Sequence, residues 1–156
     1  MFRRTLFGVT LAPVFAGLVA VAGYVAEHEA AKADEAAIRE TVQAYFDGMV
    51  QGEPERLQAA FHEDAYLIGI TRDGLTRIPF GEWSARMTRP LPNPDQFHNR
   101  IVSIDVVGMA AVAKTDLDWP SVHYVDYLAL LKIDGEWKIV NKIWHQEPGR
   151  DHGSGA

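Results

Sequence analysis

The spacing of hydrophobic residues changes once along the chain, from a helical repeat to the alternation typical of strands. Within residues 30–51 the apolar side chains recur at intervals of three and four, which places them on one face of a helix: Ile38, Val42, Tyr45, Phe46 and Met49. Gly52 is typical of the residue that follows a helix, and Pro54 suits the first turn of another. The pattern predicts two helices before the first strand.

The rest of the chain is predicted to be mostly strand. Four strands are predicted at 66–70, 75–78, 97–107 and 110–119. A third helix is predicted at 80–87, and the proline-rich segment 89–95 is predicted to be a loop. The last two strands meet at Asp134-Gly135, a pair typical of β-hairpin turns. This order of elements indicates one α+β domain, residues 30–147, with helices laid on a curved antiparallel sheet.

The final hairpin, DYLALLKIDGEWKIVNKIWHQ (126–146), allows its two faces to be assigned. With a two-residue turn, Ile133 opposes Glu136, and every further pair follows from that one. One face then carries Glu136, Lys138 and Lys142, so it is predicted to be the exposed face. The other is apolar near the turn and is predicted to face the interior.

Four polar residues gather at the far end of the predicted interior face: Tyr124, Asp126, Asn141 and His145. A buried carboxylate requires a hydrogen-bond or charged partner, and Asn141 and His145 would be diagonal neighbours of Asp126. Two interpretations remain open. The cluster is an internal network that joins two strands, or Asp126 and His145 form a catalytic acid–base pair with Tyr124 and Asn141 binding a ligand.

Four residues outside the hairpin are further candidates for ligand binding: Tyr45, His62, Trp83 and Met87. Tyr45 lies on the inner face of the first helix, where an ordinary core aromatic is the alternative. His62, in the segment FHEDA, is expected near a pocket mouth, and a solvated loop histidine is the alternative. Trp83 and Met87 share one side of the third helix and are expected to form a wall or lid.

Three segments resemble the NTF2-like superfamily: IRETVQAYFDGMVQGEPERLQAAFHEDAYLIGI, FGEWSARM and VDYLALLKIDGEWKIVNKIWHQEP. The similarity spans residues 35–147 and looks closest to the branch described as putative lumazine-binding, or SnoaL-like. It implies a cone in which a strongly curved antiparallel sheet wraps around three helices and encloses a pocket. It also implies a small ligand, heteroaromatic and lumazine-like in that branch. Tyr45 aligns with a pocket tyrosine of related isomerases, whereas Gly69 stands where those isomerases hold a general-base aspartate, so their chemistry is not expected.

Composition excludes several classes of function. The chain of 156 residues carries a formal net charge of −6, which would repel phosphate backbones, so no nucleic-acid partner is expected. It has no cysteine, which excludes disulfides, zinc–thiolate sites and cysteine nucleophiles. The motifs GxSxG, HExxH and GxGxxG and the P-loop are absent from the sequence, and neither a metal nor a cofactor is predicted.

The N-terminus has the pattern of an export signal. Arg3 and Arg4 precede an uncharged stretch from Thr5 to Ala26, and Ala20-Val21-Ala22 offers a small-residue cleavage site. We predict a signal peptide at 1–22, with an uncleaved membrane anchor as the alternative. Either alternative places the domain outside the cytoplasm, in the periplasm or secreted. The polar, glycine-rich segment 148–156 is predicted to be disordered.

Three functions remain compatible with these observations. The first is an exported pocket protein that binds a small apolar or heteroaromatic molecule. The second is a cofactor-independent lyase, isomerase or hydrolase that uses Asp126 and His145, and the third is an interaction module. Apolar residues on the predicted outer face also predict a homodimer through the sheet: Val125, Ala129, Leu131, Val140 and Trp144.

Overall fold

The computed structural model describes residues 14–149 of the chain, with side chains described from residue 27 onward. The chain divides into two compact units at residues 33 and 34. In the first unit, residues 14–33 are helical. Two parts of the chain lie outside the described residues. One is 1–13, which holds Arg3 and Arg4 of the predicted signal peptide, and the other is 150–156 of the predicted tail. Within residues 14–149, no helix combines the length and apolarity that a membrane crossing requires.

Within residues 14–149, three α-helices and six strands follow one another in the predicted order. The helices are α1 (Val14–Gln51), α2 (Pro54–Ala60) and α3 (Phe80–Ser84). The strands are β1 (Phe61–Thr71), β2 (Gly74–Pro79), β3 (His98–Val107), β4 (Ala110–Trp119), β5 (Val122–Ile133) and β6 (Glu136–Pro148). A single 3-10 turn, Pro94–Gln96, interrupts the predicted proline-rich loop. The α+β fold with three helices and a curved sheet is therefore confirmed.

Three boundaries differ from those predicted. Helix α3 ends at Ser84, three residues before the predicted end at 87, so Met87 lies beyond the helix. Helix α1 already includes Val14, the first described residue, and so extends well before the predicted start near residue 30. Strand β1 begins at Phe61, five residues earlier than predicted, since it gains a parallel partner in β6 that local sequence does not reveal.

The six strands form one sheet in the order β2-β1-β6-β5-β4-β3. The β1–β6 pair is parallel, and the other neighbours are antiparallel. The predicted apolar stripe of α1 is buried and belongs to the same hydrophobic core as the inward residues of β4, β5 and β6: Ala113, Leu117, Leu128, Leu130 and Ile139. The core thus lies between the helices and one face of the sheet.

A β-bulge at Val140 changes the pairing of the final hairpin. Near the turn the predicted register is correct, since Ile133 pairs with Glu136 and Leu130 with Ile139. Val140 has no opposite residue, and the ladder resumes with Ala129 opposite Asn141. Each side chain of β6 beyond the bulge therefore lies on the face opposite to the one that strict alternation predicts.

The bulge changes which side chains of β6 face the interior. Asn141 and His145 lie on the outer face, and 71% of the His145 side chain is exposed. Lys142 is buried, and Trp144 and Gln146 line the interior with it. The predictions for Asn141, His145, Lys142 and Trp144 are wrong, because strict alternation with a period of two leaves out the extra residue Val140.

Deleting Val140 is expected to be far more harmful than truncating it. The deletion removes the extra residue and would turn Lys142 and Trp144 outward, whereas Val140→Ala keeps the register and is expected to cost about 1 kcal/mol or less. Thermal unfolding followed by circular dichroism compares the two variants with the wild type. Equal melting temperatures for the two variants would contradict a register role for the bulge.

Candidate functional site

A cavity of about 270 Å³ lies between the helices and the inward face of the sheet. Most of its wall is apolar or aromatic: Met49, Leu67, Ile78, Trp83, Met87, Leu91, Leu117, Trp119 and Trp144. Its polar lining residues are Thr71, Tyr124, Lys142 and Gln146. Lys142 is thus the one residue of this described wall that carries a charge. The cavity suits a small apolar ligand with a polar group directed at one point.

Lys142 joins the cavity to two buried groups behind its wall. Its Nζ lies 2.9 Å from Oδ2 of Asp126 and donates to the hydroxyl oxygen of Tyr45 at 2.7 Å. The Tyr45 hydroxyl donates in turn to the same Asp126 oxygen at 2.7 Å. The three polar groups form a closed triangle, which we call the Lys142–Asp126–Tyr45 triad.

The fold determines where the members of the triad lie. Tyr45 comes from the buried stripe of α1, Asp126 from the inward face of β5, and Lys142 from β6 just beyond the bulge. Tyr45 and Asp126 are fully buried and are absent from the described cavity lining, so Lys142 is the member that reaches the cavity.

The carboxylate of Asp126 is only half satisfied. Its Oδ2 accepts both hydrogen bonds of the triad, while Oδ1 is buried with no partner among the described residues. The hydroxyl of Thr115, which is paired with Asp126 across β4 and β5, is likewise buried and without a hydrogen bond. Removing Lys142 is therefore expected to be costly for folding, because the Tyr45 hydroxyl alone would remain to stabilise the buried negative charge of Asp126.

Tyr45 remains a proton donor in this site. Burial raises the pKa of the Tyr45 hydroxyl well above its usual value, and the charge of Asp126 and its hydrogen bond add to the effect. The pKa of Tyr124 is also raised, first by partial burial and then by the charge of Asp126. Both phenols therefore stay neutral at physiological pH.

Aromatic rings surround the ammonium of Lys142. Its Nζ lies 5.7 Å from the ring centre of Trp83 and 6.0 Å from that of Trp144. These distances fall within the range of cation–π attraction, which partly replaces the water that the ammonium has lost. The rings also fix the direction in which Nζ points.

Gly69 makes room for one of these rings. It pairs with Trp144 across β1 and β6, and a Cβ atom at this position would overlap the indole. The position where related isomerases carry an aspartate is therefore filled here by the side chain of Trp144. The carboxylate of this site comes from β5 instead.

The structure places the predicted site residues in three groups. Trp83, Met87 and Tyr124 line the cavity, and Tyr45 and Asp126 lie directly behind it. The remaining three lie elsewhere. Asn141 and His145 are on the outer face, where Nε2 of His145 is 3.4 Å from Oε1 of Glu147.

His62 also lies away from the described cavity lining. Its Nδ1 accepts a hydrogen bond from the backbone of Asp64 at 3.2 Å, within the irregular part of β1 where pairing with β6 is interrupted. His62 therefore makes a local contact within its own strand and takes no part in the described cavity wall.

Three residues that line the cavity were not predicted to do so: Lys142, Trp144 and Gln146. The first two were predicted to lie on the outer face. One signal was available. Strict alternation from Trp137 put Trp144, the largest apolar side chain of this half of β6, in water, whereas one added residue brings it inside with Lys142.

Within the described residues, no group of three His, Asp or Glu side chains is arranged to hold a metal ion. The polar chemistry of the cavity thus rests on the triad and on the neutral groups of Thr71, Tyr124 and Gln146.

Residues 33–145 match the model of a protein family described as "Putative lumazine-binding". The chain belongs to this family of NTF2-like proteins. It is 31% identical over 117 residues to the aldolase FrzH of a Cladobotryum species. The aligned region covers 72% of this chain and 90% of that protein.

Solved structures show the same fold. An NTF2-like protein of unknown function from Shewanella baltica superposes with a TM-score of 0.67 at 30% identity, covering 74% of this chain and 95% of that one. Another from Methylobacillus flagellatus has a TM-score of 0.65 at 33% identity, with 73% and 92% covered. The NTF2-like fold and the family membership predicted from the sequence are confirmed, and the family supports small-molecule binding.

Separating the partners of the buried ion pair tests the triad. Asp126→Asn leaves the Lys142 ammonium without its counter-charge and is expected to lower the free energy of unfolding by about 3 kcal/mol. The double variant Asp126→Asn/Lys142→Met removes both charges and is expected to recover most of that loss. Urea denaturation measures both values. A double variant as unstable as the single one would show that the two side chains are not coupled.

Proposed function

We propose that the protein binds a small planar molecule, heteroaromatic or otherwise apolar, in the cavity, with an oxygen of the ligand on the ammonium of Lys142. The observation that carries this proposal is the placement of a single ammonium group in an otherwise uncharged, tryptophan-rich wall. Such a wall excludes water and favours flat, apolar ligands, while the one charge selects their orientation.

The size of the cavity limits the ligand. A volume of about 270 Å³ is at the small end of ligand pockets, which suits a molecule of one or two rings. The indoles of Trp83, Trp119 and Trp144 offer flat surfaces on which such rings can pack. A lumazine-like bicycle, in keeping with the family description, is one member of this class.

The hydrogen bonds of Lys142 define the polar end of the ligand. An ammonium has three donors, and two of them are used by Tyr45 and Asp126. The third has no partner among the described residues. A carbonyl or anionic oxygen of the ligand would complete the set and would form a charge-assisted hydrogen bond.

Lys142→Met is expected to weaken ligand binding about 10- to 100-fold, because it removes a hydrogen bond to a charged donor worth about 1.5–3 kcal/mol. Quenching of tryptophan fluorescence by lumazine and by smaller aromatic ketones measures the affinity, since three indoles line the cavity. Lys138→Met is the matched control: this lysine lies on the same strand, outside the cavity lining, with its Nζ on the carbonyl oxygen of Ala59. Equal losses in the two variants would contradict the proposal.

A second candidate function is a cofactor-independent enzyme that acts beside a carbonyl group. Two observations favour it: the triad, which links a donor at the cavity wall to a buried carboxylate, and the similarity to the aldolase FrzH. In this version of the acid–base hypothesis, Lys142 replaces His145 as the partner of Asp126. Lys142 would donate to the carbonyl oxygen as negative charge develops on it.

The enzyme hypothesis predicts different effects for two substitutions. Asp126→Asn is expected to lower kcat at least about 100-fold on any carbonyl substrate that the wild type turns over. His145→Gln is expected to leave kcat unchanged, because His145 is exposed on the opposite face of the sheet. A steady-state assay under identical conditions measures both. Loss of activity in His145→Gln with retention in Asp126→Asn would overturn this assignment.

We also propose a homodimer through the outer face of the sheet. The described outer face exposes four large apolar side chains on adjacent strands: Val112, Tyr127, Leu131 and Ile143. Trp144, predicted for this face, lies inside instead. Light scattering after size exclusion tests the proposal, and a monomeric mass at micromolar concentration would reject it.

Export is proposed on the N-terminal sequence alone, with its basic residues, uncharged stretch and small residues at 20–22. N-terminal sequencing of the protein purified from its own host decides between cleavage near residue 22 and an uncleaved anchor. A full-length chain recovered from the cytoplasm would contradict export.

A further inference from the structure

We propose that Lys142 is an amine nucleophile that forms an imine with a small aldehyde or ketone bound in the cavity. The inference rests on the proposed function, since it requires a carbonyl ligand at Nζ, and it adds a covalent step and a substrate class. It differs from the acid–base hypothesis, in which Lys142 donates a proton and forms no bond to carbon.

The triad has the geometry of an activated nucleophile. Such a site pairs the nucleophile with a base at hydrogen-bond distance and holds the base with a third group. Here Nζ of Lys142 is the nucleophile, Oδ2 of Asp126 lies 2.9 Å away as the proton acceptor, and the Tyr45 hydroxyl holds the same oxygen at 2.7 Å. Tyr45 is a positioning residue, because it is buried behind Lys142.

The geometry allows a direct proton transfer. Nζ of Lys142 lies 2.9 Å from Oδ2 of Asp126, so a proton can pass between the two atoms without a bridging group. Asp126 is fully buried and Lys142 nearly so, which keeps both atoms in this contact. A proton passed from Nζ to Oδ2 leaves a free amine at the cavity wall.

Imine formation then balances without another reactant. The amine lone pair attacks the carbonyl carbon, a C–N bond forms, and the carbonyl oxygen takes the proton returned by Asp126. The resulting carbinolamine transfers a second proton from nitrogen to its hydroxyl and loses water. The products are one C=N bond on Lys142 and one water molecule. The apolar walls favour this loss of water from the site.

The same wall defines the substrate class. Lys142 is the only charged group on the described lining, so a substrate with a carboxylate or phosphate would compete for the ammonium instead of presenting a carbonyl carbon. The fitting substrates are uncharged aldehydes and ketones whose carbonyl is attached to a small planar or apolar group. The hydroxyl of Tyr124 and the amide of Gln146 are available to bind a second oxygen.

Reductive trapping tests the imine. The full chain is incubated with benzaldehyde or acetophenone and sodium cyanoborohydride at neutral pH, and intact mass followed by peptide mapping locates the added group. We expect one addition per chain on Lys142, at least about 10-fold faster than on Lys32, Lys114, Lys132 or Lys138. Lys138→Met should retain it, and Lys142→Met should lose it.

Two variants distinguish loss of the nucleophile from loss of the folded structure. Lys142→Met/Asp126→Asn keeps the site neutral, and its circular dichroism and urea denaturation show whether the domain still folds. Asp126→Asn alone should slow trapping about 10-fold while still binding lumazine, a split that a purely structural role of Asp126 would not give.

The outcomes separate the imine from the binding function. Lumazine and acetophenone bound in the cavity, with additions spread evenly over the surface lysines, would overturn the imine and leave the binding function intact. No quenching by any planar probe would reject both. A fast single addition on a lysine other than Lys142 would likewise reject the inference.

Discussion

One extra residue in β6 determines the chemistry of the cavity. Before Val140, Ile139 faces inward by simple alternation; after it, Lys142, Trp144 and Gln146 do so. Without the bulge, Asp126 would face the core with no cation beside it, and an unpaired buried carboxylate is too costly to persist as an ion. The ion pair, the aromatic surround of Nζ and the polar end of the cavity therefore all depend on the bulge.

The buried pair is a costly arrangement that the rest of the site compensates. Removing an ammonium and a carboxylate from water costs several kcal/mol per ion, and attraction repays that cost only with additional hydrogen bonds. The neutral Tyr45 hydroxyl supplies them, because it accepts from Lys142 and donates to Asp126. The raised pKa of Tyr45 follows from the same burial and keeps its proton in place. Such an arrangement adds little to stability, which favours a functional reason for it.

The sequence predicts the fold and part of the site. The physical reasons for the correct predictions differ from those for the wrong ones. The apolar stripe of α1 and the Asp134-Gly135 turn are local signals, so the core position of Tyr45 and the near-turn pairing follow directly. The parallel pairing of β1 with β6 is a long-range contact that no local pattern records. The bulge adds one residue to β6, so strict alternation with a period of two assigns every later side chain of that strand to the wrong face. Asp126 lies on β5, which has no extra residue, so its predicted inward position is correct. His145 lies on β6 beyond the bulge, so its predicted position is wrong.

Two distant features agree on the corrected register. Trp144 can lie inside only because Gly69, its partner on β1, lacks a side chain that would occupy the same space. A glycine in the middle of a strand is otherwise unfavourable, so its presence there indicates a close approach by another group. Gly69 on β1 and the bulge at Val140 on β6 therefore act together: the first leaves room for the indole of Trp144, and the second turns that side chain inward beside Lys142.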